Sequence, residues 1–248
     1  MANWSDPQTT AAPYATAAGT RDAAYDAGLR SYMLSVYNYM ASGVLLSGIV
    51  ALMFAWGGEQ SMAYSVFANG GPLAWLIILS PLAIVFAMSF GQNKMSTGTL
   101  QVLFWSFAVL MGLSLSTLLL RYTGTSVAQA FFATAAGFVG LSLYGYTTKR
   151  DLTGFGSFLI VGLIGIIVAS IINIFTQSSM MALIISIAGV LIFAGLTAYD
   201  TQRIKSMYAY VAGTDMVGKV VIMSALSLYL DFINMFQFIL SIFGTSRD

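Results

Sequence analysis

LTGFGSFLIVGLIGIIVASIINIFTQSSMMALIISIAGVLIFAGLTAYDTQRIK, residues 152–205, decides the fold. Its first 48 residues, Leu152 to Tyr199, carry no charge; the run then ends on Asp200, with Arg203 three positions further on. A helix crossing a hydrocarbon core of roughly 30 Å needs about 20 mostly apolar residues. The run is long enough for two such helices, and the polar tetrad TQSS at 176–179 divides it. The rest of the chain has the same texture. It is 58 % hydrophobic and 8 % charged, where a soluble domain carries roughly 25 % charged residues. Uncharged runs at 31–58, 60–93, 95–120 and 122–148 are also of spanning length. The fold class is an all-α polytopic membrane protein, a bundle of seven transmembrane helices. A membrane barrel would show short segments of apolar/polar alternation, whereas LIVGLIGIIVASIINIF at 159–175 is apolar throughout.

The spans are expected at about 33–55, 73–91, 99–120, 126–147, 153–175, 179–203 and 219–243. Residues 1–30 are rich in Ala, Thr and Asp and too polar for a signal-peptide core, which predicts a disordered cytoplasmic tail ahead of a membrane domain at 31–248. Lys and Arg distribute unevenly over the loops. With the N-terminus inside, the cytoplasmic side collects Arg21, Arg30, Lys94, Lys149, Arg150, Arg203, Lys205 and Lys219, and the other side keeps Arg121 and Arg247. That bias predicts a cytoplasmic N-terminus, and an odd number of spans puts the C-terminus outside. Pro81 interrupts the second span, where it frees the carbonyl of Ile77 and makes a candidate hinge. Gly137, Gly140, Gly162 and Gly165 are expected at close helix contacts.

A net charge of +1 and the lack of a basic tract argue against nucleic-acid binding. The chain has neither Cys nor His, which removes thiolate chemistry, the usual zinc sites and every Ser-His or Cys-His arrangement. No catalytic activity and no cofactor are expected.

Two carboxylates fall within or close to apolar spans, Asp200 in AYDTQRIK and Asp231 in LSLYLDFINMF. A carboxylate in hydrocarbon costs at least a few kcal/mol, so it faces the bundle interior and seeks a partner. The sixth and seventh spans are consecutive and antiparallel, joined through AGTDMVG at 212–218. The two Asp are nearly equidistant from that turn and so lie at similar depth. On the seventh span Ser224, Ser227, Asp231 and Asn234 fall within an arc of about 80° at 100° per residue. This polar stripe must look into protein or water. Two carboxylates within hydrogen-bonding reach share one proton more readily than both ionise, which would make the pair a proton sensor. The plainer alternative pairs Asp200 with Arg203 and ties Asp231 into a structural network with Asn234.

Three uses of such a pair compete. Oxygen-only ligands suit Ca²⁺, and carboxylates lining a pore select cations; Asp200 and Asp231 would then touch a transient Ca²⁺. An intramembrane aspartyl protease would use the dyad to activate water, and Tyr199-Asp200 matches the YD half of a presenilin-like signature, but YLDF replaces the expected GxGD. A proton-coupled transporter usually shows internal repeats, and no persuasive repeat is present. A retinal protein lacks its mid-membrane Lys in the seventh span.

AGLTAYDTQRIK at 194–205 and LSLYLDFINMFQFILSIFG at 226–244, with the lead-in DAGLRSYMLSVYNYM at 26–40, resemble the bacterial branch of the Bax inhibitor-1 family over roughly residues 25–244. The resemblance implies seven helices with the last one central, surrounded by the other six. It also implies a pH-sensitive Ca²⁺ leak whose proton-sensing pair matches Asp200 and Asp231. Relatives in animals suppress cell death, and another bacterial branch is associated with modulating a membrane-bound AAA protease, which gives a non-channel alternative. Some bacterial relatives latch the sixth-helix Asp with an arginine at the cytoplasmic end of the second helix. Here that region reads AMSFGQNKM, with Lys94 its only cation. Lys lacks the bidentate fork, so the candidate latches are Lys94 and Arg203. Ser227 and Asn234 would be supporting contacts. Partners implied are the lipid bilayer, Ca²⁺, protons and, in the alternative, a membrane-bound protease.

Overall fold

A computed structural model describes residues 13–247, with side chains from residue 23 on. The helices are α1 (Pro13–Phe54), α2 (Met62–Phe67), α3 (Pro72–Gly91), α4 (Thr97–Arg121), α5 (Gly124–Thr147), α6 (Thr153–Thr176), α7 (Ser179–Val211) and α8 (Val217–Phe243). A single 3-10 turn at Gly58–Gln60 precedes the short α2. Among the described residues there is no strand, and seven helices are long and apolar enough to cross a membrane: α1 from Ala23, and α3 to α8. Residues 1–12 of the expected tail lie outside the described residues, while 13–30 are helical and continuous with the first span.

The breaks have local causes. Between α6 and α7, Gln177 takes the left-handed region at φ 49°, and Ser178 accepts a hydrogen bond from the amide of Met181 at 3.3 Å. Ser96 and Thr123 cap α4 and α5 in the same way, through the amides of Thr99 and Ser126. Each side-chain oxygen satisfies one of the amides left open at a helix start. The polar tetrad therefore divides the long run as its sequence predicts. The sixth span is longer than expected, reaching Val211 rather than 203, because residues 204–211 continue as helix beyond the apolar stretch.

α8 is the most buried span, with half of its most apolar window inside the protein, against 11 % for α6. It packs on α1, α4, α5 and α7, while α3 packs chiefly on α4 and α6 on α7. At its heart Tyr229 is fully buried, with the Phe107 ring edge-on at 4.9 Å. Ser47 of α1 donates to the Ala108 carbonyl of α4 at 2.6 Å and lies 2.6 Å from the Tyr229 hydroxyl, so the phenol donates to Ser47. One tyrosine thus ties three helices. Glycine serves the close approaches of α1 to α4 and of α5 to α7. A Cβ on Gly112 would meet the backbone of Ser47, and one on Gly145 the backbone of Ala198. Gly162 also abuts a neighbour, Ile192. Gly137, Gly140 and Gly165 depart from the expected close contacts: nothing lies within 4 Å of a Cβ placed there, because they face outward.

Pro81 is buried inside α3. The carbonyl it frees, Ile77 O, accepts from Ser114 Oγ of α4 at 2.9 Å and from Ser80 Oγ at 3.1 Å. A neighbouring hydroxyl thus replaces the lost helix bond, the usual way a spanning helix tolerates proline. Pro81 sits where α3 meets α4, pinned at its loose carbonyl. Ser114→Ala is expected to lower stability by about 1 kcal/mol, read as an earlier thermal unfolding in detergent.

Candidate functional site: two carboxylates in one cavity

Asp200, Arg203, Ser227, Asp231 and Asn234 all line a single cavity of about 580 Å³. Its third wall is α6, which contributes mainly isoleucine from Ile160 to Ile174, and Phe193 and Phe238 extend the apolar lining. Lys94 and Pro81 do not line it. Lys94 lies exposed between α3 and α4, so of the two candidate latches Arg203 is the one beside the carboxylates.

Asp200 lies 11 residues before the end of α7, and Asp231 lies 14 residues after the start of α8. Three residues of helix rise place Asp231 about 4.5 Å deeper, and burial follows depth: Asp231 is 5 % exposed, whereas Asp200 is half-buried. Both carboxylates and the Arg203 side chain line this one cavity. Asp231 Oδ2 is buried without a hydrogen-bond partner. The amide of Asn234 does not serve it, since Nδ2 donates to the Leu230 carbonyl at 2.7 Å. Thr197 is likewise spent on its own helix, donating to Phe193 O at 2.8 Å. Ser224, the first member of the polar stripe, is buried and does not line this cavity. The structural network sketched for Asp231 and Asn234 therefore does not form through the asparagine amide. A buried acceptor is left unsatisfied in a residue that lines the cavity.

A second, more polar cavity of about 290 Å³ adjoins the first at the end of the bundle where α7 leaves the apolar zone. Lys149, Asp151, Thr153, Gln202 and Ser206 line it, and Tyr199 and Arg203 line both cavities. Tyr199 and Arg203 thus form the partition between vestibule and carboxylates. Tyr199 lies flat enough against α6 that a Cβ on Gly156 would collide with its ring. Gln202 fixes the vestibule floor: its Oε1 accepts from the Leu152 amide at 2.9 Å, and its Nε2 donates to the Arg150 carbonyl at 2.8 Å. Asp151 Oδ1 accepts from the hydroxyl of Thr153 at 2.6 Å and from its amide at 2.9 Å, which holds this carboxyl below its ordinary range. It stays ionised above pH 5 and contributes no switch there.

Gln202 did not stand out in the sequence, and Tyr199 did so only as half of a protease-like YD pair, although both flank Asp200 in AYDTQR. The available signal was that a polar glutamine sits two positions past the carboxylate, at the level where a loop must be held. Gln202→Leu is expected to cost about 1–3 kcal/mol, because it orphans the buried Leu152 amide. Faster proteolysis in the 148–152 loop, with earlier thermal unfolding, is the measurement.

Among the described residues no group of three or more acidic, His or Cys side chains comes together. Ca²⁺ takes 6–8 oxygens, so two carboxylates do not make a resident cage. They could make only a passing contact with an otherwise hydrated ion.

The motifs read from the sequence fall within a broader match. The family model described as "Inhibitor of apoptosis-promoting Bax1" covers residues 29–248. Protein RP147 of Rickettsia prowazekii is 46 % identical over 230 residues, covering 92 % of this chain and 95 % of that one. A Caulobacter vibrioides protein is 47 % identical over 236 residues, covering 92 % and 93 %. YbhL of Escherichia coli, described as an inner membrane protein, is 44 % identical over 225 residues, covering 89 % and 94 %. With seven spanning helices and a family match over nearly the whole chain, this protein is a membrane protein of the Bax inhibitor-1 family.

Proposed function

We propose that the protein is a passive, pH-regulated cation leak that favours Ca²⁺, with Asp200 and Asp231 as proton sensor and part of the ion path. The observation that carries this reading is the cavity itself: both carboxylates line it, and Asp231 Oδ2 has no partner. Nothing in packing requires such an atom, and its cost is expected to be repaid in function. The polar vestibule gives a hydrated approach from the basic end of the bundle, with Arg203 and Tyr199 at the partition. Beyond the carboxylates the walls turn to isoleucine and phenylalanine, and an apolar constriction blocks ions by shedding water. Protonation at the pair changes the attraction that Arg203 feels and the repulsion between the carboxylates, so α7 shifts against α6 and α8. The protein would sit in a bacterial inner membrane as YbhL does, with the basic end cytoplasmic and the C-terminus outside. It would carry no catalytic activity.

Ca²⁺ flux into dye-loaded proteoliposomes between pH 5 and 8 tests this. A flux above that of empty liposomes, changing across that range, is the expected result. Absence of flux at every pH would end the channel reading and leave modulation of a membrane-bound protease as the function to test.

A further inference from the structure

α1 packs on α4 and α8, and α5 packs on α7 and α8, yet α1 and α5 hardly touch. The gap between them holds two grooves at different levels along the helices. One, of about 440 Å³, runs from Arg30 to Tyr37 on α1 and from Phe138 to Tyr146 on α5. The other, of about 300 Å³, runs from Val44 to Leu52 on α1 and from Gly124 to Phe132 on α5, with Ile233 and Phe236 of α8 among its walls. Together the two grooves reach from Arg30 to Leu52 on α1 and from Gly124 to Tyr146 on α5, 22 helical steps each, about 33 Å at 1.5 Å per residue. That matches a hydrocarbon core of roughly 30 Å. The lips of the larger groove, Leu34, Val139 and Leu143 among them, are exposed.

Charge distinguishes the two ends of this seam. Arg30 lines the larger groove, and Lys205 is held against its Tyr146 wall, with its ammonium on the Tyr146 carbonyl at 2.8 Å and over the Tyr146 ring at 4.7 Å. A separate polar pocket, lined by Lys205, Thr148 and Asp26, lies one residue along each helix, at Leu29 and Gly145. Asp26 is the one carboxylate among the lining residues of groove and pocket, against the two cations Arg30 and Lys205. The other end of the seam is apolar, closing on Gly124 and Leu52.

We propose that the α1–α5 seam holds an anionic phospholipid from the leaflet at the basic end, with its phosphate on Arg30, in the field of the Lys205 held at Tyr146, and an acyl chain along Met33, Leu34, Val139 and Leu143. A basic mouth over an apolar, membrane-open groove is the chemistry that selects an acidic headgroup. This site is separate from the carboxylate cavity and shares no lining residue with it.

The test is native mass spectrometry of the full chain released from mixed micelles holding equal phosphatidylglycerol and phosphatidylcholine of identical acyl chains. Phosphatidylglycerol should remain bound in preference. Arg30→Gln should weaken its retention about fivefold, and Val139→Trp, which fills the groove and keeps both cations, should weaken retention of both lipids. Arg121→Gln, at the opposite end, should change nothing. Thermal unfolding of each variant checks that it folds; Arg30 is exposed, so that substitution decides even if the tryptophan does not fold. Equal retention of the two lipids by the parent chain, or parental retention by Arg30→Gln, would overturn the proposal.

Discussion

Asp231→Leu is expected to unfold at a higher temperature than the parent protein while losing the pH dependence of Ca²⁺ flux. Asp231 is 5 % exposed, and its Oδ2 has no hydrogen-bond partner. A buried acceptor left unsatisfied costs about 1–3 kcal/mol, and apolar replacement of buried charged groups is often neutral or stabilising. Leucine fits a cavity already walled by Ile, Leu and Phe. The functional half of the result is separable. Asp231→Asn and Asp200→Asn keep the shape and remove the titrating group, and each should give a flux that no longer varies between pH 5 and 8. Thermal unfolding and proteoliposome flux on the same three variants make the comparison. A stability gain with an unchanged pH profile would show that the carboxylate is merely misplaced structure. If Asp231→Leu instead lost stability, the carboxylate would have to be satisfied by something in the membrane-embedded protein, such as water held in the cavity.

Tyr229→Ala should have the largest effect on stability, a loss of about 3–5 kcal/mol as for other large buried aromatic residues. The ring fills space against Phe104 and Phe107, and the hydroxyl ties α8 to Ser47, which in turn holds Ala108 of α4. Tyr229→Phe separates the two contributions. It keeps the packing and gives up one hydrogen bond, for about 1 kcal/mol. Ser47 still has the Ala108 and Gly43 carbonyls to receive its proton, so the phenylalanine variant leaves only an acceptor lone pair open. Thermal unfolding in one detergent is the measurement, and a loss in Tyr229→Phe as large as in Tyr229→Ala would mean that the hydroxyl, not the ring, organises the core.

Hydropathy and charge made the seven spans legible because the bilayer imposes a length on them. The carboxylate cavity was legible for a related reason: few polar residues can be afforded in an apolar span, so Asp200, Asp231, Ser227 and Asn234 point to one place. Which way the other faces turn was not legible. In a membrane, lipid and protein neighbours are both apolar, so Gly137 and Gly140 read alike whether they touch a helix or lipid. The expected hinge at Pro81 was ambiguous for another reason. Whether its loose carbonyl is pinned depends on Ser114, 33 positions away on a different helix. The roles of Tyr199 and Gln202 depend on the α5–α6 loop folding back over α7, a contact no local pattern announces.

The most buried helix is also the one that the ribosome reaches after the other six. At 5–20 residues per second, roughly ten to forty seconds separate completion of α1 from completion of α8. For that time Ser47 has no tyrosine to meet, and α1, α4, α5 and α7 lack the surface around which they later pack. Until then α1 can pack on α4 and α5 on α7, but the packing that joins those pairs through α8 has to wait. Quality control can judge the nascent protein only late, since a fault in the final hairpin and a fault in the core are the same event.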